Sequence, residues 1–246
     1  MSKGEIVVCR DAGELNRKAA EQFVALARGA QAAKGRFAVA LSGGSTPKAL
    51  YALLARGEYR SRIDWSRLHL FWGDERCVPP DHPESNFGMV YESLLSGVKI
   101  PSENVHRMAG EKEPKIAAAE YEAELRKFFN PTGLPGFDLI LLGLGEDGHT
   151  ASLFPGSAAV EEKKRWVATV YVETLKAHRL TLTLPVINAA AQVTFLVTGE
   201  SKRAIVKQLL GREADSSNLP AARVSPANGK LTWLITKDAA GALSHR

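Results

Sequence analysis

Along the chain, apolar residues gather into short runs separated by stretches in which they recur every three or four positions. The runs are Glu5–Cys9, Phe37–Leu41, Leu68–Trp72, Phe137–Leu142, Trp166–Val172, Leu180–Leu184, Val193–Val197 and Leu231–Thr236. Rich in Val, Ile, Leu, Phe and Trp, they predict β-strands. Asp11 followed by Glu14 has the form of a capping box and opens a helical pattern running toward Gly29. Ala49–Leu54, Glu113–Phe129, Pro185–Ala191 and Ser201–Leu210 also read as helical. Strand, helix and strand in alternation predict an α/β layer fold around a largely parallel sheet. The turn-rich stretch "FNPTGLPGF", Phe129–Phe137, is followed at once by a strand and lacks linker composition, so it reads as a loop within one domain spanning residues 1–246. The small, polar tail after Lys237 predicts a loosely held end.

Composition narrows the class. A chain of 246 residues, 45% of them apolar, can bury one large core. The net charge is +5, but Lys and Arg are interspersed with acids instead of forming a stripe, which speaks against nucleic acid and suits a small phosphorylated substrate. Cys9 and Cys77 lack the spacing of a disulfide framework or a zinc site and predict a reducing cytoplasm. No apolar run approaches the ~20 residues of a membrane span. Glu5 and Asp11 fall where a signal peptide would carry its apolar segment. The expectation is a cytoplasmic protein with no membrane or nucleic-acid partner, a monomer or weak homo-oligomer.

In an open parallel sheet, ligands gather beyond the carboxyl ends of the strands. Four stretches lie there: "SGGSTP" after Leu41, "GDER" after Trp72, "GLGEDGH" after Leu142 and "TGESKR" after Val197. In the first, Gly43 and Gly44 permit a tight turn, Ser45 or Thr46 can cap the following helix, and Pro47 suits its first turn. The free N–H groups of that turn and the helix dipole would hold a phosphate. The G-K-[ST] ending of a Walker loop is absent, and an ordinary capped turn would look similar. "GDER" reads as a charged loop, in which Asp74 could bind sugar hydroxyls and Arg76 could face an anion or a developing oxyanion. "GLGEDGH" has the form G-x-G-x-x-G, yet Glu146 and Asp147 would stand where a pyrophosphate needs room, so a dinucleotide is not expected. The glycines instead let Asp147 and His149 project into a cleft, with His149 a candidate general base. These two alone are too few for a metal site. His69, His82, His106, His178 and His245 lack such a context and read as structural or surface residues. Arg179 and Lys202, near strand ends, would complete a phosphate clamp.

With these stretches in view, the sequence resembles the 6-phosphogluconolactonases, which share a fold with the glucosamine-6-phosphate deaminases. The resemblance is carried by "LSGGSTPKALYALL", "FWGDERCVPPDHPESNFGMVYESLL", "FDLILLGLGEDGHTASLFPG", "HRLTLTLP" and "VTGESKR", in order over nearly the whole chain. It implies a three-layer αβα fold with a mostly parallel, modified Rossmann-like sheet. It also implies hydrolysis of 6-phosphoglucono-1,5-lactone in the oxidative pentose phosphate pathway, without metal or organic cofactor. The phosphate loop then falls on Gly43, Gly44, Ser45 and Thr46, with Arg179 and Lys202 as side-chain partners. His149 falls on the proposed general base, Asp147 on the acid beside it, and Asp74 and Arg76 on cleft residues at the sugar and carbonyl end. Two alternatives follow from the same resemblance. Deaminases carry a glutamate in a motif like "FNEPG"; here the stretch is "SLFPG", with Phe154 at that position, and an apolar ring cannot relay a proton. A non-catalytic sugar-phosphate sensor would pair the fold with a DNA-binding segment, for which the strand run at Glu5 leaves no space, and would not need the Asp-x-His pair.

Overall fold

The computed structural model describes residues 4–129, 133–211, 218–241 and 243. The first half of the chain runs β1 (Glu5–Cys9), α1 (Ala12–Lys34), β2 (Phe37–Leu41), α2 (Ser45–Leu54), α3 (Gly57–Ser61), β3 (Leu68–Trp72), β4 (Asp74–Arg76), α4 (Asn86–Ser93), β5 (Val105–His106) and α5 (Pro114–Phe129). The second half continues with β6 (Leu139–Leu142), β7 (Val167–Val172), β8 (Ala177–Leu182), α6 (Leu184–Ile187), β9 (Gln192–Val197), α7 (Arg203–Leu210), β10 (Lys230–Thr236) and α8 (Lys237–Ala240).

Seven strands form one parallel sheet in the order β1-β10-β9-β6-β2-β3-β5. Every residue of β2, β6 and β9 is buried. Because neighbouring side chains on a strand point to opposite faces, unbroken burial means that both faces are covered, as expected for a parallel sheet between helical layers. From β2 the chain winds outward through β3 to β5, then returns to β6 and winds the other way through β9 and β10. The order therefore reverses between β2 and β6, the place where open α/β sheets form a crevice.

Two strand readings and one loop reading change. Trp166–Val172 and Leu180–Leu184 do not join the parallel sheet: β7 and β8 form an antiparallel hairpin. The charged "GDER" is not a free loop, because β4 adds to that hairpin as its third strand. Alternating burial along β7 fits a sheet covered on one face. The chain passes from β3 through Gly73 directly into β4, and the Leu182 amide donates to the Gly73 carbonyl at 2.8 Å, so the two sheets are joined just before Asp74. β5, two residues long, is too short to show a period.

The helix ends follow their caps. Asp11 accepts the Glu14 amide at 2.8 Å, while the Glu14 carboxylate turns back to the Arg10 amide and guanidinium instead of to Asp11. α1 continues past Gly29 to Lys34 and stops at Gly35, whose φ is 76°. The tail is held more firmly than its composition suggests, since Ala239 and Ala240 of α8 are buried. Residues 130–132 of the turn-rich stretch, 242 and 244–246 lie outside the described residues.

Two buried tyrosines complete the backbone bonding at the carboxyl edge. The Tyr51 hydroxyl bridges the amide and carbonyl of Ser42, both at 3.0 Å. Tyr121 does the same for Trp72, accepting its amide at 2.9 Å and donating to its carbonyl at 3.1 Å. β5 pairs with β3 only through Leu70 and Phe71, so Tyr121 stands in where β5 has ended. Burial raises both phenol pKa values and keeps the hydroxyls neutral. Tyr121→Phe leaves two buried main-chain groups without this partner, and urea denaturation should show a loss of about 1–3 kcal/mol.

Candidate active site

The carboxyl ends of the parallel strands, with β4 and β8, enclose a cleft of about 430 Å³. It gathers Gly43, Gly44, Ser45, Thr46, Asp74, Arg76, His149, Arg179 and Lys202, nine of the ten residues singled out in the sequence. The tenth, Asp147, lies behind His149.

The anion loop differs from expectation at its cap. α2 begins at Ser45, its N-cap is Gly44 with φ 106°, and neither Ser45 nor Thr46 caps it with a side chain. Thr46 Oγ1 pairs instead with Thr198 Oγ1 at 2.6 Å, tying the loop to the end of β9. The first-turn N–H groups are thus left to face the cleft, the arrangement that attracts a phosphate. Gly43 is required by a close approach: a Cβ there would stand 1.9 Å from Asn86 Oδ1.

Arg76 and Arg179 are directly paired across β4 and β8, so both guanidiniums rise on the same side of the small sheet. Arg76 donates through Nη1 to the Glu84 carbonyl, and among the described residues neither arginine Nε has a hydrogen-bond partner. Burial first, and the Arg76 charge second, lower the Arg179 pKa. Two cations side by side give this wall of the cleft the charge that suits an anion. Lys202, on the turn after β9, lies 3.7 Å from Glu146.

The other wall is built around His149. Its Nδ1 lies 2.6 Å from Asp147 Oδ1, which also accepts the His149 amide at 3.0 Å. Burial raises the Asp147 pKa, but the hydrogen bonds and charge of His149 outweigh it and hold the carboxyl below its ordinary range. An ionised acceptor on Nδ1 places the proton there and leaves Nε2 with its lone pair. The Phe154 ring packs on the imidazole at 4.5 Å between centroids. Gly145 closes the remaining side, since a Cβ there would lie 2.1 Å from Nδ1. The other described histidines do not share this setting: His69 and His106 form a chain with Glu124 beside Phe71, His82 accepts the Glu84 amide, and His178 packs on Tyr171. His245 lies outside the described residues.

Sequence reasoning missed Asn86, Ser152 and Glu75. Asn86 Nδ2 donates to the Asp74 carbonyl at 2.9 Å and approaches its Oδ1 at 3.3 Å, while Ser152 Oγ meets Asp74 Oδ2 at 2.7 Å. Glu75, only 2% exposed, accepts the amides of Arg76, Asn86 and Phe87 and the Ser85 hydroxyl. Asn86 lies within the quoted motif "PESNFG", but nothing local shows that it reaches Asp74.

Fold and site define a doubly wound α/β protein with a cleft at its switch point, lined by the start of α2, two arginines, a lysine and the histidine of a histidine–aspartate pair. The chain belongs to the glucosamine-6-phosphate isomerase/6-phosphogluconolactonase family, whose model matches residues 10–233. It is 42% identical over 201 residues to a Haemophilus influenzae protein named 6-phosphogluconolactonase, covering 82% of this chain and 85% of the relative. A Nostoc protein of the same name is 42% identical over 214 residues, 86% of each chain. Among solved structures, the 6-phosphogluconolactonase of Trypanosoma brucei superposes with a TM-score of 0.87 at 32% identity over 98% of both chains. A monomeric glucosamine-6-phosphate deaminase, 20% identical with a TM-score of 0.81, shares the fold.

Two variants probe this architecture. Gly43→Ala forces Asn86 off Asp74 and should raise the KM for a phosphorylated substrate at least about tenfold, measured by steady-state kinetics, because the displaced amide is buried and bonded. Glu75→Gln turns one acceptor oxygen into a donor facing N–H groups and should cost about 1–3 kcal/mol in urea denaturation. The wild-type Glu75 pKa is raised by burial, so its contribution is fullest below the ordinary carboxylate range and declines as pH rises through the folded value. The variant should lack that segment of the stability profile.

Proposed function

We propose that the protein hydrolyses 6-phospho-D-glucono-1,5-lactone to 6-phospho-D-gluconate, an ester hydrolysis in the oxidative pentose phosphate pathway. The observation that carries the reading is the His149–Asp147 pair, with His149 lining the same cleft as Gly43, Gly44, Ser45 and Thr46 at the start of α2. The substrate has the matching polarity, with a phosphate at one end and an electrophilic carbonyl at the other.

In the mechanism, the N–H groups of Ser45 and Thr46, with Arg179 and Lys202, hold the phosphate dianion. His149 Nε2 takes a proton from water as the oxygen attacks C1, and Asp147 stabilises the imidazolium that forms. Arg76 meets the oxyanion of the tetrahedral intermediate. The protonated imidazole then returns its proton to the departing ring oxygen, which opens the lactone. The reaction so written uses no metal or organic cofactor. Phosphate binding holds C1 against the attacking water and lowers the entropic part of the barrier. Phe154 has no proton to relay, which disfavours amine loss as the chemistry of this cleft.

No helix among the described residues is long and apolar enough to cross a membrane. Cys9 and Cys77 are both free thiols, and burial pushes the Cys77 thiol up to about 11. The unpaired thiols support a reducing compartment such as the cytoplasm, and we propose further that the chain acts as one domain and as a monomer or weak homo-oligomer.

The test uses purified, EDTA-treated protein. Lactone disappearance from freshly generated 6-phosphogluconolactone should exceed the spontaneous rate, and glucosamine 6-phosphate should release no ammonia. His149→Ala should lower kcat by about 10²–10⁴-fold while still binding 6-phosphogluconate. Ammonia release would establish a deaminase instead, and silence on both substrates would leave a sugar-phosphate sensor.

A further inference from the structure

Asp74 lines the cleft, two residues before Arg76 on β4, and it is only 8% exposed. Its two oxygens are addressed from two separate segments. Ser152, 2% exposed, brings Oγ to 2.7 Å from Oδ2. Asn86, also 2% exposed, brings Nδ2 to 3.3 Å from Oδ1 and holds the Asp74 carbonyl at 2.9 Å.

Both partners are themselves fixed. Ser152 follows Ala151, a non-glycine residue with φ 48°, and its amide donates to Thr181 Oγ1 at 3.2 Å on β8. A left-handed alanine is strained and persists where the surrounding structure overdetermines it. Here the left-handed turn brings the chain from His149 back under Asp74. Asn86 is pinned through its amide to Glu75 at 2.7 Å and packs so closely on Gly43 that no side chain fits between. Asn86 therefore spans from the anion loop to Asp74, and Ser152 from the histidine loop to Asp74.

We infer that Ser152 and Asn86 are positioning residues that fix the Asp74 carboxylate as a two-oxygen acceptor for hydroxyl groups of the sugar. A carboxylate oxygen can accept about two hydrogen bonds, so with one site on each oxygen filled by a protein donor, one on each remains for ligand. The negative charge repels the phosphate, which Arg179, Lys202 and the helix terminus attract, so the polyol is the part of the substrate that suits Asp74. Removing one donor lets the carboxylate rotate out of register with the hydroxyls it binds. The inference rests on the sugar-phosphate reading of the cleft and extends it to residues that touch Asp74 rather than substrate.

The test measures binding of 6-phosphogluconate and its 2-, 3- and 4-deoxy analogues by calorimetry, with lactone turnover alongside, in wild type, Ser152→Ala and Asn86→Asp. Thermal denaturation verifies that each variant is folded. Ser152→Ala should bind 6-phosphogluconate about tenfold more weakly and raise KM comparably, with kcat within about threefold, as expected for one lost hydrogen bond to a charged group. Its penalty should vanish on the deoxy analogue that lacks the hydroxyl received by Asp74. Asn86→Asp sets a second carboxylate against Asp74 and should weaken binding of the parent compound more than Ser152→Ala does. Equal penalties on the parent and every deoxy analogue would overturn the inference, because they would mean general loosening of the cleft. So would unchanged binding in both variants, or a fall in kcat with KM constant, which would make the Ser152–Asp74 pair a proton carrier. Absence of lactone turnover in wild type would sink the lactonase reading alone, since the pattern of calorimetric penalties still decides the role of Ser152 and Asn86. Absence of 6-phosphogluconate binding in wild type would overturn both.

Discussion

A buried carboxylate organises the cleft. Glu75 sits on β4 at the junction of the two sheets and collects three main-chain amides and a hydroxyl, those of Arg76, Asn86, Phe87 and Ser85. The segment between β4 and α4 is long and irregular, with Pro79, Pro80 and Pro83, and its course to α4 is not set by a regular ladder. Glu75 supplies the missing bonds and draws the start of α4 onto the strand. Ser85 then caps α4 through the Gly88 amide, and Asn86 is left facing Asp74 on one side and Gly43 on the other. Burying a charge is expensive, and the penalty shows as a raised pKa, but multiple N–H donors offset it in a way one partner could not.

The charges in the cleft are arranged by strand register. Asp74 and Arg76 are two apart on β4 and so share a face, while Glu75 between them points the other way. Register also sets Arg179 opposite Arg76. One short strand thus supplies an acceptor and a cation to the cleft and a buried anchor beneath it. A two-residue spacing gives a charged loop no defined geometry, but in a strand it fixes which charges lie together. That is why the antiparallel hairpin matters to chemistry as well as to packing: without β8, β4 has no partner and its side chains no shared direction.

Most of the fold was legible because strands buried on both faces show as apolar runs, and β2, β3, β6, β9 and β10 lie close to the runs that predict them. The four polar stretches were legible as sites because a parallel sheet sends its strand ends to one edge. What was not legible depends on contacts between distant segments. The β7–β8 hairpin has the same local appearance as two strands of the main sheet, since pairing partners are not written in a strand's own composition. Asn86 and Ser152 reach Asp74 over separations of 12 and 78 residues and show no periodicity or local motif of their own. Capping was misread for a physical reason as well: Ser45 and Thr46 are good caps, but Gly44 with positive φ opens the helix one step earlier and sets them inside it.

The surroundings of His149 also bear on which reaction this fold supports. An imidazole between Asp147 and an aromatic ring has one nitrogen committed and one face covered, so its rotation is restricted and a single lone pair is presented. Lactone hydrolysis in the proposed form needs one proton taken and the same proton returned, both within reach of one nitrogen. Loss of an amine from a sugar phosphate needs ring opening and proton transfer at carbon, work for more than one group. Phe154 offers no second titrating group, and Asp74 has a protein donor on each oxygen. Both features favour a cleft in which one base performs the proton transfers and the remaining polar groups hold the substrate still.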